Sequence, residues 1–399
     1  MTGIQTCALP IFCAYFLQDK FDVTVFDKKS PLITLLPTGG GRCNLAHAEF
    51  DFRELAKNYP RGEKFLYSVF SKFSTADTLE FFKEIGIETY TQENGRIFPT
   101  SNSSKDVREK FLRALGKVRF IKEEVLRING KLKMKSGKLT NFQFSTFHFQ
   151  PQSAPTLPSP VGRVSEGQEG VEVITDNASY NVDYVVISTG GHASFELIKL
   201  LGHKIIEPKP ALTGLKTKED FSALAGVAIN DILFTHKGVS GPKIYEISSL
   251  KARENFPYKL SFDFVGEIDL QTALNLNPHK TIKNLLSEFV VKSFAEYILY
   301  NLRISPDIKC HKIDGKTRDK ILDKLQNFEI TVVGTVTDGE IVTSGGVDLK
   351  EINSKTLESK LHKNIYFCGE VMDIDGFCGG FNLQNCWSTG YVAAKNILG

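Results

Sequence analysis

The stretch Tyr184-Val185-Val186-Ile187-Ser188-Thr189-Gly190-Gly191 is apolar without alternation and then empties into glycine. A strand wetted on one face alternates polar with apolar residues. An unbroken run marks a strand buried on both faces, as in a parallel sheet covered by helices. A second run of this kind, Ile365-Tyr366-Phe367-Cys368-Gly369-Glu370, lies near the end of the chain. Together they predict an α/β fold whose parallel sheet is assembled from segments far apart in sequence. In open sheets of this class ligands sit beyond the carboxyl ends of the strands, where glycine lets a ligand approach the backbone. Thr189, Gly190, Gly191, Gly369 and Glu370 are therefore candidate cofactor contacts.

At 399 residues the chain has room for two or three domains. Residues 21–27 read as a strand, Val23 and Val25 alternating with polar neighbours ahead of Asp27. Residues 74–86 read as a helix: Ser74 and Asp77 form a capping-box pattern, Leu79, Phe82 and Ile85 share one face, and Gly86 supplies the stop. Residues 104–116 repeat that plan around Val107, Phe111 and Leu115, and short strands follow at 118–121 and 171–175. Residues 382–398 read as a closing helix with Leu383, Trp387, Tyr391, Ala394 and Ile397 on its stripe. The stretch 150–170, rich in Pro, Ser, Gly and Gln, reads as a surface loop insertion. The middle has another texture, with β-rich flanks at 259–265 and 330–336 around a charged, helical 281–328. The chain thus divides into a Rossmann-like dinucleotide domain in two segments, 1–195 and 340–399, an inserted β-rich domain at 200–267 and 328–339, and a small helical subdomain at 268–327.

Four places carry candidate chemistry. Asp27, at a strand end, suits the hydroxyls of an adenine dinucleotide's ribose, because its carboxylate accepts from both. In Thr38-Gly39-Gly40-Gly41-Arg42-Cys43-Asn44 three glycines expose a row of N–H groups suited to an anion, and Arg42 adds a fixed cation. Cys43 has no visible resolving partner and reads as a small packed thiol. From Gly369 to Gln384, Gly379 and Gly380 deliver the backbone to the start of the last helix, whose free N–H groups carry partial positive charge. A reduced isoalloxazine ring is negative around N1 and its C2 carbonyl, and a helix N-terminus aimed there would stabilise it. Lastly, residues 233–242 read as a strand end and a helix start capped by Ser240, with His236 and Lys237 as candidate proton-exchanging groups.

The remaining composition narrows the partners. With 49 basic and 46 acidic side chains there is no clustered excess of cations, and no nucleic-acid role is expected. The cysteines, Cys7, Cys13, Cys43, Cys310, Cys368, Cys378 and Cys386, show no C-x-x-C spacing. No metal site is expected, and a reducing, cytoplasmic setting is. No apolar run reaches membrane-spanning length.

In combination these strings resemble the HI0933-like bacterial three-domain flavoproteins, which include the aminoacetone oxidase family and BaiN-type NAD(P)/FAD-dependent oxidoreductases. The residues that carry the resemblance are TGGGRCN at 38–44, STGG at 188–191, LFTHKGVSGP at 233–242, TSGGV at 343–347 and GEVMDIDGFCGGFNLQ at 369–384. The resemblance implies FAD as cofactor. By it Asp27 would hold the adenosine ribose, Val125 would meet adenine through its backbone, and Arg42 and Asn44 would lie along the flavin. Gly369, Glu370 and Asp373 would line the cofactor cleft, and Asn382, Leu383 and Gln384 would offer helix N–H groups to the ring. One departure stands out. Such proteins begin with a strand and a G-x-G-x-x-G loop that grips the pyrophosphate, whereas residues 1–12 read MTGIQTCALPIF. That segment is expected to be foreign to the enzyme.

The activity implied is an FAD-dependent oxidoreductase on a small molecule. One version is an amine oxidase that takes an aminoketone and passes electrons to oxygen. The other is a reductase that draws on NAD(P)H to saturate an unsaturated substrate. The absence of a second glycine motif for a nicotinamide leans toward the oxidase. From another class, a flavin-binding regulatory or interaction protein remains open.

Overall fold

The computed structural model describes residues 9–130, 170–191, 195–336 and 342–399. Residues 1–8 of the segment expected as foreign, and all of the expected loop insertion except Gly170, lie outside the described residues. The chain forms two compact units, which for the described residues fall within 9–208 together with 343–399, and within 209–342.

The second unit is built on a six-stranded antiparallel sheet in the order Ala228–Ile229, Ile232–Thr235, Gly238–Ser240, Leu215–Thr217, Phe328–Thr335, Tyr258–Phe262. Helices Leu270–Leu276, Ile282–Leu286, Lys292–Asn301 and Gly315–Gln326 share one core with it. Phe234 meets Phe294 at 5.7 Å, and Phe294 meets Phe328 at 5.3 Å. The expected β-rich domain and helical subdomain therefore bury their apolar faces against each other. The 233–242 stretch differs from the expectation. His236 and Lys237 form the two-residue turn of a hairpin, Ser240 ends its second strand, and the N-cap of helix Pro242–Leu250 is Gly241 at φ 101°. Pro242 at the first helical position supplies the start signal in place of a serine cap.

In the first unit, parallel pairing joins Thr24–Phe26 to Arg119–Ile121 and Ile365–Phe367 to Val185–Ile187. The Ile365–Phe367 strand is buried throughout, as its composition predicts. Val185 and Val186 are only half-buried, although their run reads as buried on both faces. The reason is that Val185–Ile187 has a strand neighbour on one side only among the described residues. Helices Thr75–Glu84 and Ser104–Ala114 form where the caps place them. The Ser74 N–H donates to Asp77 Oδ2 at 2.7 Å, and the Asp106 N–H donates to Ser103 Oγ at 3.3 Å.

The closing helix is Phe381–Leu398, and 13 of its 18 residues are buried, so it lies inside the unit rather than on it. A second helix, Leu9–Leu17, packs against it. Ile11, Phe12, Cys13 and Ala14 are almost wholly buried, which leaves the helix apolar all round and hides it from any search for an amphipathic stripe. Pro10 is tolerated because the first helical turn has no N–H bond to lose. Ile11 and Phe12, the last residues of the segment expected as foreign, are thus part of the core. Phe12 stands 4.6 Å from Phe81 and 5.2 Å from Trp387. No helix among the described residues is long and apolar enough to cross a membrane.

Two stability consequences follow from this packing. Phe12→Ala is expected to cost about 3–5 kcal/mol in urea unfolding, because the cavity opens among rings that cannot collapse together. His203 is the second case. Its imidazole is buried, with Nδ1 2.9 Å from Glu351 Oε2 and Nε2 2.9 Å from Ser359 Oγ. The geometry favours an ion pair, yet burial outweighs the carboxylate and holds the histidine below its ordinary 6.5. Above that value both folded and unfolded chains leave it neutral. As pH falls below about 6.5 the unfolded chain takes up a proton that the folded one resists, so stability is lost. The thermal midpoint should drop between pH 7.5 and 5.5, and drop less in His203→Asn.

Candidate functional site

Three glycine-bearing segments of the first unit meet at strand ends. The 189–191 turn follows Val185–Ile187, the Gly369–Val371 turn follows Ile365–Phe367, and the buried strand Val342–Val347 brings up Thr343 and Ser344. The Cys368 N–H still donates to the Ile187 carbonyl at 3.1 Å, so both turns leave the sheet together. A Cβ on Gly191 would lie 2.7 Å from the Thr343 Cβ and 3.6 Å from the Glu370 carbonyl oxygen. Only glycine permits that approach. Glu370 is buried, and the Gly369 N–H donates to Thr389 Oγ1 at 3.0 Å. The hydroxyls of Ser188, Thr189 and Ser344 are buried and have no hydrogen-bond partner among the described residues. Buried polar atoms are paired in nearly all cases, and orphans gathered at one strand end are what a polar ligand there would satisfy.

A second wall comes from residues 38–47 and the start of the last helix. The turn Thr38–Gly41 is tight, with Gly39, Gly40, Gly41 and Cys43 all at positive φ and the Cys43 N–H closing onto the Thr38 carbonyl at 2.9 Å. The Arg42 guanidinium carbon sits over the Phe98 ring, 4.2 Å from its centroid, and its Nε donates to the Gly39 carbonyl at 3.3 Å. Its orientation is set by the turn itself. Asn44 Oδ1 is buried and has no hydrogen-bond partner among the described residues. The chain then enters strand Ala46–His47, against which the last helix begins. Gly380 is its N-cap at φ 103°, and a Cβ there would lie 2.4 Å from the Ala46 carbonyl oxygen. The His47 Nδ1 is 3.1 Å from the Gly379 carbonyl, and Trp387 Nε1 donates to the Leu45 carbonyl at 2.9 Å.

The helix start offers backbone, not side chains. The N–H groups of Phe381, Asn382 and Leu383 have no carbonyl one turn back and carry the positive end of the helix dipole. The Asn382 amide is spent on Gly376, accepting from its N–H and donating to its carbonyl, both at 2.8 Å. Gln384 Nε2 donates to Thr78 Oγ1 at 2.8 Å and Ser388 Oγ at 2.9 Å, and Leu383 is buried in the core beside Cys43. The Asp373 N–H donates to the Val347 carbonyl at 3.1 Å. Sequence reasoning missed the brace of this loop. Asp375 is fully buried and forms a bidentate ion pair with Arg61, while the Tyr59 hydroxyl donates to the Phe381 carbonyl at 2.5 Å. Nothing local singled out Asp375 from Glu370 and Asp373 in the same glycine-rich loop, because its partner Arg61 lies 314 residues away.

Asp27, Val125 and Thr189 line one cavity of about 780 Å³ in the same unit. Asp27 is half-buried, which pushes its carboxyl up, and the Lys29 N–H donating to Oδ1 at 2.8 Å opposes this. The Cys43 thiol is pushed up to about 12 by burial, so it is no thiolate and no redox nucleophile. No cluster of three or more His, Cys, Asp or Glu side chains that could hold a metal occurs among the described residues. His236 and Lys237 are exposed at their hairpin turn in the other unit.

Strand ends opening into glycine, a cradle that no Cβ could enter and an unopposed helix start define a Rossmann-type flavoprotein site. The family described as HI0933-like protein Rossmann domain matches residues 7–396, and the chain belongs to it. It is a flavin-dependent oxidoreductase. It is 27% identical over 402 residues to an Escherichia coli protein named ribosomal RNA dihydrouridine synthase, covering 93% of this chain and 90% of that one. A Haemophilus influenzae protein of the same name is 25% identical, with 98% and 96% covered. A 3-dehydro-bile acid delta(4,6)-reductase from Clostridium scindens is 25% identical, with 90% and 88% covered.

The orphaned hydroxyls fit a flavin cofactor and generate a sign-reversed prediction. Thr189→Val keeps the shape and removes an unpaired buried hydroxyl. Without flavin the variant should melt higher, by the equivalent of about 1 kcal/mol. Its flavin dissociation constant, read from fluorescence quenching, should rise about fivefold to tenfold. A fall in both stability and affinity would show the hydroxyl to be structural.

Proposed function

We propose that this chain is an FAD-dependent reductase that takes electrons from NAD(P)H and saturates a carbon–carbon double bond conjugated to a carbonyl. Bound FAD would supply the two-electron relay between nicotinamide and substrate. The observation that carries the reading is the helix start at Gly380, held against the Ala46 strand with its N–H groups unopposed. A positive dipole end at that place favours the electron-rich, reduced form of a flavin. Dihydrouridine and a saturated bile acid, the products that the relatives' names imply, both arise by adding hydrogen across a double bond conjugated to a carbonyl. That chemistry favours the reductase over the amine oxidase toward which the missing nicotinamide motif leans.

In this reading Asp27 accepts from the adenosine ribose and Val125 meets adenine. Thr189, Gly190 and Gly191 with Gly369, Glu370 and Asp373 line the cleft. Gly39, Gly40, Gly41, Arg42 and Asn44 lie along the flavin. Gly379 and Gly380 present the N–H groups of Asn382 and Leu383, whereas that of Gln384, also expected there, is donated to the Gly380 carbonyl at 3.0 Å. Saturation needs one proton for each hydride delivered, and His236 and Lys237 are the candidates to hold it.

The test uses the purified chain loaded with FAD under anaerobic conditions. NAD(P)H oxidation should match, mole for mole, the saturation of a 3-oxo-4,6-diene steroid or of uridine, and the pair distinguishes a steroid-like from a nucleobase substrate. Peroxide formed with aminoacetone in air, without enone reduction, would establish the oxidase instead. A bound flavin inert toward every donor would point to a binding protein. Asp27→Asn should weaken FAD about tenfold, the loss of charged hydrogen bonds to the ribose, while FMN, which lacks the adenosine, binds as before.

A further inference from the structure

Arg96 begins the strand Arg96–Pro99, the middle strand of an antiparallel sheet with Ala46–His47 and Thr89–Thr91. It stands directly across from His47, and Phe98 follows two residues later. Cross-strand partners, and residues two apart on one strand, leave a sheet on the same side, so Arg96, His47 and Phe98 share one face. Two glycine turns close over that face. The Thr38–Gly41 turn covers Phe98: a Cβ on Gly39 would lie 2.9 Å from the ring, and the Arg42 guanidinium sits over it. The 378–380 turn covers His47, whose Nδ1 is 3.1 Å from the Gly379 carbonyl and whose ring stacks on Phe381 at 4.5 Å. Arg96 stands between the two turns, and its charge reaches the Cys378 thiol, lowering it against the burial that pushes it up.

This face is positive without an acid to balance it. Among the described residues neither Arg96 nor Arg42 forms an ion pair with a carboxylate. Arg42 spends its Nε on the Gly39 carbonyl, which leaves its two terminal nitrogens. Arg96 is half-buried, and its guanidinium makes no hydrogen bond among the described residues. The last helix starts alongside at Gly380 and adds the positive end of its dipole. Drawing like charges together and partly out of water costs free energy, and an anion placed among them offsets that cost. The planar fork of a guanidinium matches the paired oxygens of a carboxylate or a phosphate. Neither Arg96 nor the 378–380 turn lines the cavity shared by Asp27 and Val125, so the adenosine end of the cofactor does not supply that anion.

We propose that Arg96, together with Arg42, binds an anionic group of the substrate, a carboxylate or a phosphate, and so selects enones that carry one. The enone rests on the reductase reading above, whereas the anion site rests on the unbalanced charges of this face. A substrate anchored there lies beside the helix start, where the flavin ring is placed by that reading.

The test is isothermal titration calorimetry on the FAD-loaded chain with two pairs of probes. One pair is a 3-oxo-4,6-diene steroid bearing a side-chain carboxylate and its methyl ester. The other is uridine 5′-monophosphate and uridine. In at least one pair the anionic member should bind about tenfold more tightly, the effect of charge-assisted hydrogen bonds. The pair that shows it tells carboxylate from phosphate. Arg96→Gln should erase the preference and leave the affinity for the neutral member and for FAD unchanged. Arg96→Lys, which keeps the charge and loses the fork, should restore part of it. Equal binding within both pairs overturns the proposal, as does a preference that survives in Arg96→Gln. Weaker FAD binding by Arg96→Gln overturns it too, because the cofactor's own phosphates would then be the anion. Calorimetry reads binding without turnover, so a chain that prefers the anion yet reduces neither substrate refutes the reductase and leaves this site standing.

Discussion

The indole of Trp387, fully buried with its N–H on the Leu45 carbonyl, fixes the start of the last helix against residues 38–47 of the first unit. It ties the last helix to the strand at Ala46–His47, and the glycine turn at 379–380 can only close once that distance is set. Phe12, Phe82 and Phe111 pack around the same ring. A helix with 13 of 18 residues buried has no polar face on which to rest in water. Its enclosure and the placement of its N-terminus are therefore one event, driven by apolar burial. The electrostatics of the site are a by-product of packing.

It follows that the site is made of backbone. Of the side chains nominated at the helix start, Asn382 is engaged with Gly376, Gln384 with Thr78 and Ser388, and Leu383 with the core. Arg42 is oriented by stacking on Phe98 and by its own turn. What remains for a ligand is N–H groups, a few orphaned hydroxyls and the space that glycine leaves. Such a site has its polar groups already aligned, so little reorganisation is needed when charge develops. The Arg61–Asp375 pair serves the same end. Buried ion pairs add little net stability, but removing one partner is costly, and this pair holds the loop between the last strand and the last helix in a single arrangement.

Much of this was legible because glycine and capping residues act locally. The two strand–glycine runs, the Ser74 capping box and the stripe of the closing helix all have causes within a few residues. What escaped the sequence was set at long range. The helix Leu9–Leu17 carries no polar stripe because it is enclosed on every side, so no periodicity announces it. Arg61 and Asp375 meet across 314 residues. Ser240 resembles a cap, yet the hairpin closed by Thr235 and Gly238 draws it into a strand and leaves the cap to Gly241. The Val185–Ile187 run was readable as a sheet strand but not as one with a strand neighbour on one side only among the described residues, since composition reports what a strand can bury and not what stands beside it.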